Sequence, residues 1–216
     1  AILMHDIGHG PFSHALENML MDDWHHEKIS ILLMNRLNKE FKGKLDLAIE
    51  MFQGKYHRMF FNQLISSQLD VDRMDYLLRD SYFTGTNYGE FDLTRILRVI
   101  RPTEQGIAFK ESGMHAVEDY VLSRYQMYMQ VYFHPASRSM EVLLQNLLKR
   151  AKLLYTSEQD FFARTSPRLL PFFEHRISLT DYLALDDGVM NTYFQSWIEG
   201  PDDILSDLAR RYINRK

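Results

Sequence analysis

The sequence predicts a mostly α-helical fold, a helical bundle carrying one small β-hairpin near residues 100–113. Three observations lead there. Apolar residues recur at helical spacing, as with Ile29, Leu32, Leu33 and Leu37, and again with Met74, Leu77 and Leu78. Glycine and proline punctuate the chain at helix-length intervals, at Gly10-Pro11, Gly43, Pro135, Pro167, Pro171 and Gly200-Pro201. Only IRPTEQGIAFKESG, residues 100–113, breaks the pattern, with short alternating segments about Gly106.

Taken in order, residues 1–9 read as the tail of a buried helix stopped by Gly10-Pro11, and Ser13 to Met21 as a short helix. A helix runs from His26 to Phe41 and ends before Gly43; residues 44–61 form another. DVDRMDYLLRDSYF, residues 70–83, is helical, and TGTNYG, residues 84–89, is a loop. Asp92 caps a helix through Val99. After the hairpin, a long helix spans Met114 to His134, stopped by Pro135, and another spans Ser137 to Tyr155. Short helices fill the rest. We expect residues 1–155 to form a catalytic core and 156–216 a helical extension of the same domain. The apolar run AILM opens mid-helix without an initiating Met, so further residues are expected upstream of Ala1.

Composition narrows the function. A formal net charge of -4 argues against a general nucleic-acid binder, which favours a basic surface. With no cysteine there is no disulfide framework and no thiolate metal site, which fits a reducing cytoplasm. No apolar run approaches the roughly 18–20 residues that span a bilayer, so no membrane partner is expected.

Histidine is distributed unevenly. Five of nine (His5, His9, His14, His25 and His26) fall within the first 26 residues. A lone histidine at a helix end is more often a cap or a packing residue than a ligand. Several polar rings beside AILM and Phe12 need partners, and a shared ion or anion supplies them. His5 and Asp6 diverge by about 100° on a helix, yet both can lean toward one ion. His9 follows His5 by one turn on the same face, and His14 lies just past the Gly10-Pro11 break. Imidazole with carboxylate suits Mn, Fe, Ni or Zn, and less ideally Mg.

Three stretches together carry a resemblance. HDIGHGPFSH, DVDRMDYLLRD (residues 70–80) and RYQMYMQVYFH (residues 124–134) resemble, in that order, the motifs of HD-domain phosphohydrolases, in the deoxynucleoside triphosphate triphosphohydrolase branch. The resemblance implies an HD-domain helical bundle and a divalent metal ion held by His5, Asp6 and Asp72, with a further histidine upstream. Asp70 ranks second to Asp72 as the distant aspartate, and the competing reading of Asp72 is a first-turn carboxylate. It implies catalytic or supporting imidazoles at His9, His14 and His26, with Glu17 orienting His14 and His14 protonating the leaving 5′-oxygen. Arg73 and Arg124 would meet phosphate, and Tyr76, Asp80, Tyr132 and His134 the rest of a deoxynucleotide, Asp80 taking the 3′-hydroxyl. Tyr125 and Tyr128 read instead as an aromatic core stripe. Arg138 and Lys149-Arg150 read as solvated helix charges, and His25 as solvent-exposed. A homo-oligomer, dimer or tetramer, is expected. Two alternatives stay open: an HD phosphohydrolase for a monophosphate, cyclic nucleotide or alarmone, and a non-catalytic nucleotide-binding regulator.

Overall fold

A computed structural model describes residues 1–14 and 25–216. The expected helix Ser13–Met21 falls almost wholly outside the described residues, and Glu17 with it. Within them the chain forms twelve α-helices and one two-stranded antiparallel sheet, as the spacing predicts. None of these helices is long and apolar enough to cross a membrane.

The first half runs α1 (His26–Glu40), α2 (Asp46–Phe52), α3 (Met59–Ile65), α4 (Val71–Thr84) and α5 (Leu93–Val99). Strands β1 (Ile100–Thr103) and β2 (Gly106–Phe109) follow, with Ile100 opposite Phe109 and Thr103 opposite Gly106. Then come α6 (Met114–Met127), a π-helical turn over Tyr128–Tyr132, and α7 (Pro135–Leu154). Five short helices complete the chain: α8 (Gln159–Thr165), α9 (Leu170–Phe173), α10 (Leu179–Leu183), α11 (Asp187–Trp197) and α12 (Asp203–Asn214).

Several elements differ from the sequence expectation. Residues 1–9 are not a buried helix: Ile2–Met4 make one 3-10 turn, and Leu3 is 91% exposed. The Gly8 N–H and carbonyl pair with Ser30 and Tyr182 and not along a helix, and glycine itself weakens a helix by roughly 1 kcal/mol. Residues 44–61 form two helices, because the chain turns at Gly54, where φ is +68°. The expected helix 114–134 changes winding after Met127, and Pro135 opens α7 rather than only ending its predecessor. In α1 the inward positions are Ile29, Leu33 and Met34, while Leu32 is half exposed. Tyr125 is 61% exposed, so it is no part of a core stripe; α6 turns Tyr120, Ser123 and Met127 inward instead. Arg150 is not a solvated charge, since it makes a two-pronged pair with Asp202, the N-cap of α12.

The chain divides into two compact units. One comprises Ala1–Asp6 and Ile31–Ser137. Its buried cluster, Met74, Leu77, Ile96, Tyr120 and Met127, joins α4, α5 and α6, and partly buried Tyr76 and Tyr132 pack against it. The other comprises Ile7–Ser30 and Arg138–Lys216. There Phe162, Phe194 and Trp197 are fully buried in edge-on or tilted contacts, and the Trp197 indole N–H donates to Ser166 at 3.3 Å.

Candidate metal centre and histidine cluster

The metal candidates converge in the first unit, and the start of α4 explains how. Asp70 is fully buried and is the N-cap, its carboxylate accepting from the backbone N–H of Arg73 at 2.7 Å and of Ser67 at 3.0 Å. Its second oxygen also pairs with the Arg73 guanidinium. Asp70 is thus committed to capping, and Asp72 in the first turn is the carboxylate that reaches His5. His5 Nε2 lies 3.2 Å from Asp6 Oδ2 and 3.5 Å from Asp72 Oδ1. The other ring nitrogen, Nδ1, lies 2.6 Å from the carbonyl oxygen of Ile2. A carbonyl only accepts, so Nδ1 carries a proton. Nε2 faces the two carboxylates, so a positive charge among the three residues, from a metal ion on the Nε2 lone pair or from a second ring proton, offsets theirs. Burial raises the Asp72 carboxyl above its ordinary value, against the smaller opposing pull that His5 exerts when protonated. One ligand atom from each of the three residues can be chosen so that all lie within 4.8 Å of one another. One imidazole and two carboxylates make a donor set that fits Mn, Fe, Ni, Zn or Mg.

A second group forms in the other unit. His9 does not continue a helical face from His5; its ring stacks on His26, centroids 4.1 Å apart and planes 11° apart. His14 stands edge-on to both, at 4.9 Å from His9 and 5.0 Å from His26. The three rings also bring nitrogens within 4.8 Å of one another. The backbone that makes this possible is tight. A Cβ on Gly8 would sit 2.2 Å from the carbonyl oxygen of His26, and Phe12 and Ser13 hold φ of 55° and 50°. His25 is exposed.

The remaining candidates lie on α4, α6 and the π turn, with His134 just beyond it. The Tyr132 hydroxyl donates to Asp80 Oδ2 at 2.7 Å, and the rings of Tyr76 and Tyr132 meet edge-on at 6.2 Å. Burial pushes the Tyr76 phenol up to about 12, and burial and then the Asp80 bond push Tyr132 up further. Arg124 donates to Gln68 Oε1 at 2.6 Å and lies 5.7 Å above the Tyr128 ring. Arg73 spends part of its charge on Asp70. His134 is exposed and accepts through Nδ1 from the Ala136 N–H, at the start of α7.

Residues 91–166 match the model of the HD associated region. The chain is 49% identical to the uncharacterized protein YwfO of Bacillus subtilis, over all of this chain and 51% of that protein. A crystal structure of a phosphohydrolase from Bacteroides thetaiotaomicron superposes with a TM-score of 0.88 at 38% identity, covering 99% of this chain and 55% of that one. The matched region and these similarities support the HD family for this chain. A more distant relative, at 29% identity over 73% of this chain and 34% of its own, is a protein of Dictyostelium discoideum named deoxynucleoside triphosphate triphosphohydrolase SAMHD1 homolog. The chain spans about half the length of the curated relatives that match it from end to end.

Sequence reasoning missed several residues that shape these groups. The Ile2 carbonyl fixes the His5 tautomer, and no sequence signal marks a backbone acceptor. Ser30 receives the Gly8 N–H at 2.9 Å, and the buried Tyr182 hydroxyl donates to the Gly8 carbonyl at 2.6 Å. The Ser178–Asp181 capping box announces the helix that carries Tyr182, but nothing local announces a partner 174 residues away.

Proposed function

We propose that this HD protein is a metal-dependent phosphohydrolase acting in the cytoplasm, as a homo-oligomer, on deoxynucleoside triphosphates, releasing deoxynucleoside and inorganic triphosphate. The observation that carries the reading is the His5 ring: Nδ1–H held on Ile2, and Nε2 facing Asp6 and Asp72 at 3.2 and 3.5 Å. A divalent ion bound by these three residues would supply Lewis acidity at the phosphate and activate the attacking water. His5, Asp6 and Asp72 would hold that ion, and the Ile2 carbonyl would keep the imidazole in the ligating tautomer. Arg73 and Arg124 offset charge on the triphosphate. Tyr132 holds Asp80 so that its carboxylate can accept a sugar hydroxyl, Tyr76 meets the sugar, and His134 the sugar and phosphates. His14, oriented by Glu17, donates the proton to the leaving 5′-oxygen, with His9 and His26 supporting it. The name of the Dictyostelium relative supports the choice of substrate.

The test is to incubate the protein with each of the four deoxynucleoside triphosphates and Mn²⁺ or Mg²⁺, singly and mixed, and resolve products by anion exchange. Deoxynucleoside with intact triphosphate is expected. Monophosphate or diphosphate products would move the protein to another class of HD hydrolase. No turnover with any metal, alongside nucleotide-induced thermal stabilisation, would make it a binding module.

A further inference from the structure

His9 and His14 bracket a short turn, in which the Ser13 N–H donates to the Gly10 carbonyl at 3.1 Å. Phe12 and Ser13 both adopt the left-handed region, an uncommon conformation for residues that carry a Cβ. Such a backbone persists where its surroundings hold it, and the holders here come from the far end of the sequence. The Tyr182 hydroxyl donates to the Gly8 carbonyl at 2.6 Å, and Gly10 lies so close that a Cβ there would be 2.7 Å from the same hydroxyl. The Phe12 N–H donates to Asp187 Oδ1 at 2.8 Å. The Phe12 ring sits 5.9 Å from Phe194 and 6.0 Å from Tyr212. On its other side, the Gly8 N–H donates to Ser30, one helical turn beyond His26 on α1.

We propose that Tyr182 and Asp187 are positioning residues for the imidazoles of His9 and His14. Tyr182 holds the peptide before His9 by a hydrogen bond and packs closely against Gly10 after it; Asp187 holds the residue two before His14. The helix that carries Asp187 does not need it for capping, because Asp186 accepts the Val189 N–H. Asp187 is exposed, so its removal leaves the core intact. The segment expected as a mere extension then sets the geometry of the histidine cluster. This rests on reading those histidines as the proton-transfer groups of the proposed hydrolase.

The experiment pairs imidazole nitrogen NMR with steady-state kinetics on Asp187→Ala, Asp187→Asn and Tyr182→Phe. Asp187→Ala is expected to move the His9 and His14 nitrogen resonances and to lower kcat about tenfold with KM nearly unchanged. Metal content at His5 stays at the wild-type level. Asp187→Asn keeps an acceptor oxygen and restores wild-type resonances and kcat. Tyr182→Phe displaces the His9 resonances more than those of His14. Unchanged His9 and His14 resonances in folded Asp187→Ala and Tyr182→Phe would overturn the proposal, as would a kcat loss that only tracks the unfolded fraction. The resonances need no substrate, so a protein that hydrolyses nothing still decides the positioning claim.

Discussion

The two ring nitrogens of His5 have different partners, Nδ1 the Ile2 carbonyl and Nε2 the carboxylates of Asp6 and Asp72. In the proposed metal site, His5→Ala or Asp72→Asn removes one of three ligands, and metal-dependent turnover should fall by about a hundredfold or more, with bound metal measured in parallel. Tyr132→Phe removes only the hydroxyl that donates to Asp80. It should raise KM for a deoxynucleotide by roughly tenfold while leaving metal affinity alone, since a hydrogen bond to a charged group is worth about 1.5–3 kcal/mol. The buried tyrosines also fix an alkaline limit. Burial raises the phenols of Tyr120 and Tyr76 to about 12, against about 10 in the unfolded chain. The folded protein therefore keeps these protons where the unfolded chain releases them. This stabilisation is complete below pH 10 and disappears as pH rises through 12. Tyr120, 1% exposed and donating to the Gln68 carbonyl, should account for about 2 kcal/mol of that loss. Urea unfolding of Tyr120→Phe between pH 8 and 12 should show the shallower decline.

At the scale of elements, α4 and the π turn divide the work of placing side chains. Asp70 takes the cap, so Asp72 is spared for His5. Asp70→Ala would leave the Arg73 guanidinium without its buried partner and two backbone N–H groups without an acceptor, and should cost roughly 3–5 kcal/mol in chemical denaturation. The π turn adds a residue to the winding just before Tyr132. Deleting the exposed Gln130 should restore α-helical winding and swing Tyr132 off Asp80, reproducing the Tyr132→Phe phenotype in a folded protein. Here the sequence is legible in part. The spacing of Met74, Leu77 and Leu78 gives α4, and the alternation about Gly106 gives the hairpin, because both depend on neighbours a few residues away. The split at Gly54 and the π turn are not legible. A lone glycine is tolerated within many helices, and a change of winding has no residue signature. The choice between Asp70 and Asp72 could be ranked only by resemblance, since both carboxylates suit a helix start.

At the scale of the whole molecule, the first unit carries the His5, Asp6 and Asp72 group and the second carries the imidazole cluster. The crowding of histidines near the start of the chain is readable as chemistry. Their partition is not, because it depends on contacts such as Phe12 with Asp187, which lie 175 residues apart in sequence. The same long reach conceals Tyr182. The central claim is metal-dependent attack of water on the α-phosphorus of a deoxynucleoside triphosphate. It is tested most directly by turnover in ¹⁸O-labelled water with Mn²⁺, followed by mass spectrometry of the products. The account predicts label in inorganic triphosphate, none in the deoxynucleoside, and no labelled product from Asp72→Asn. Label in the deoxynucleoside, label in orthophosphate or pyrophosphate, or the same yield with the metal removed would contradict it.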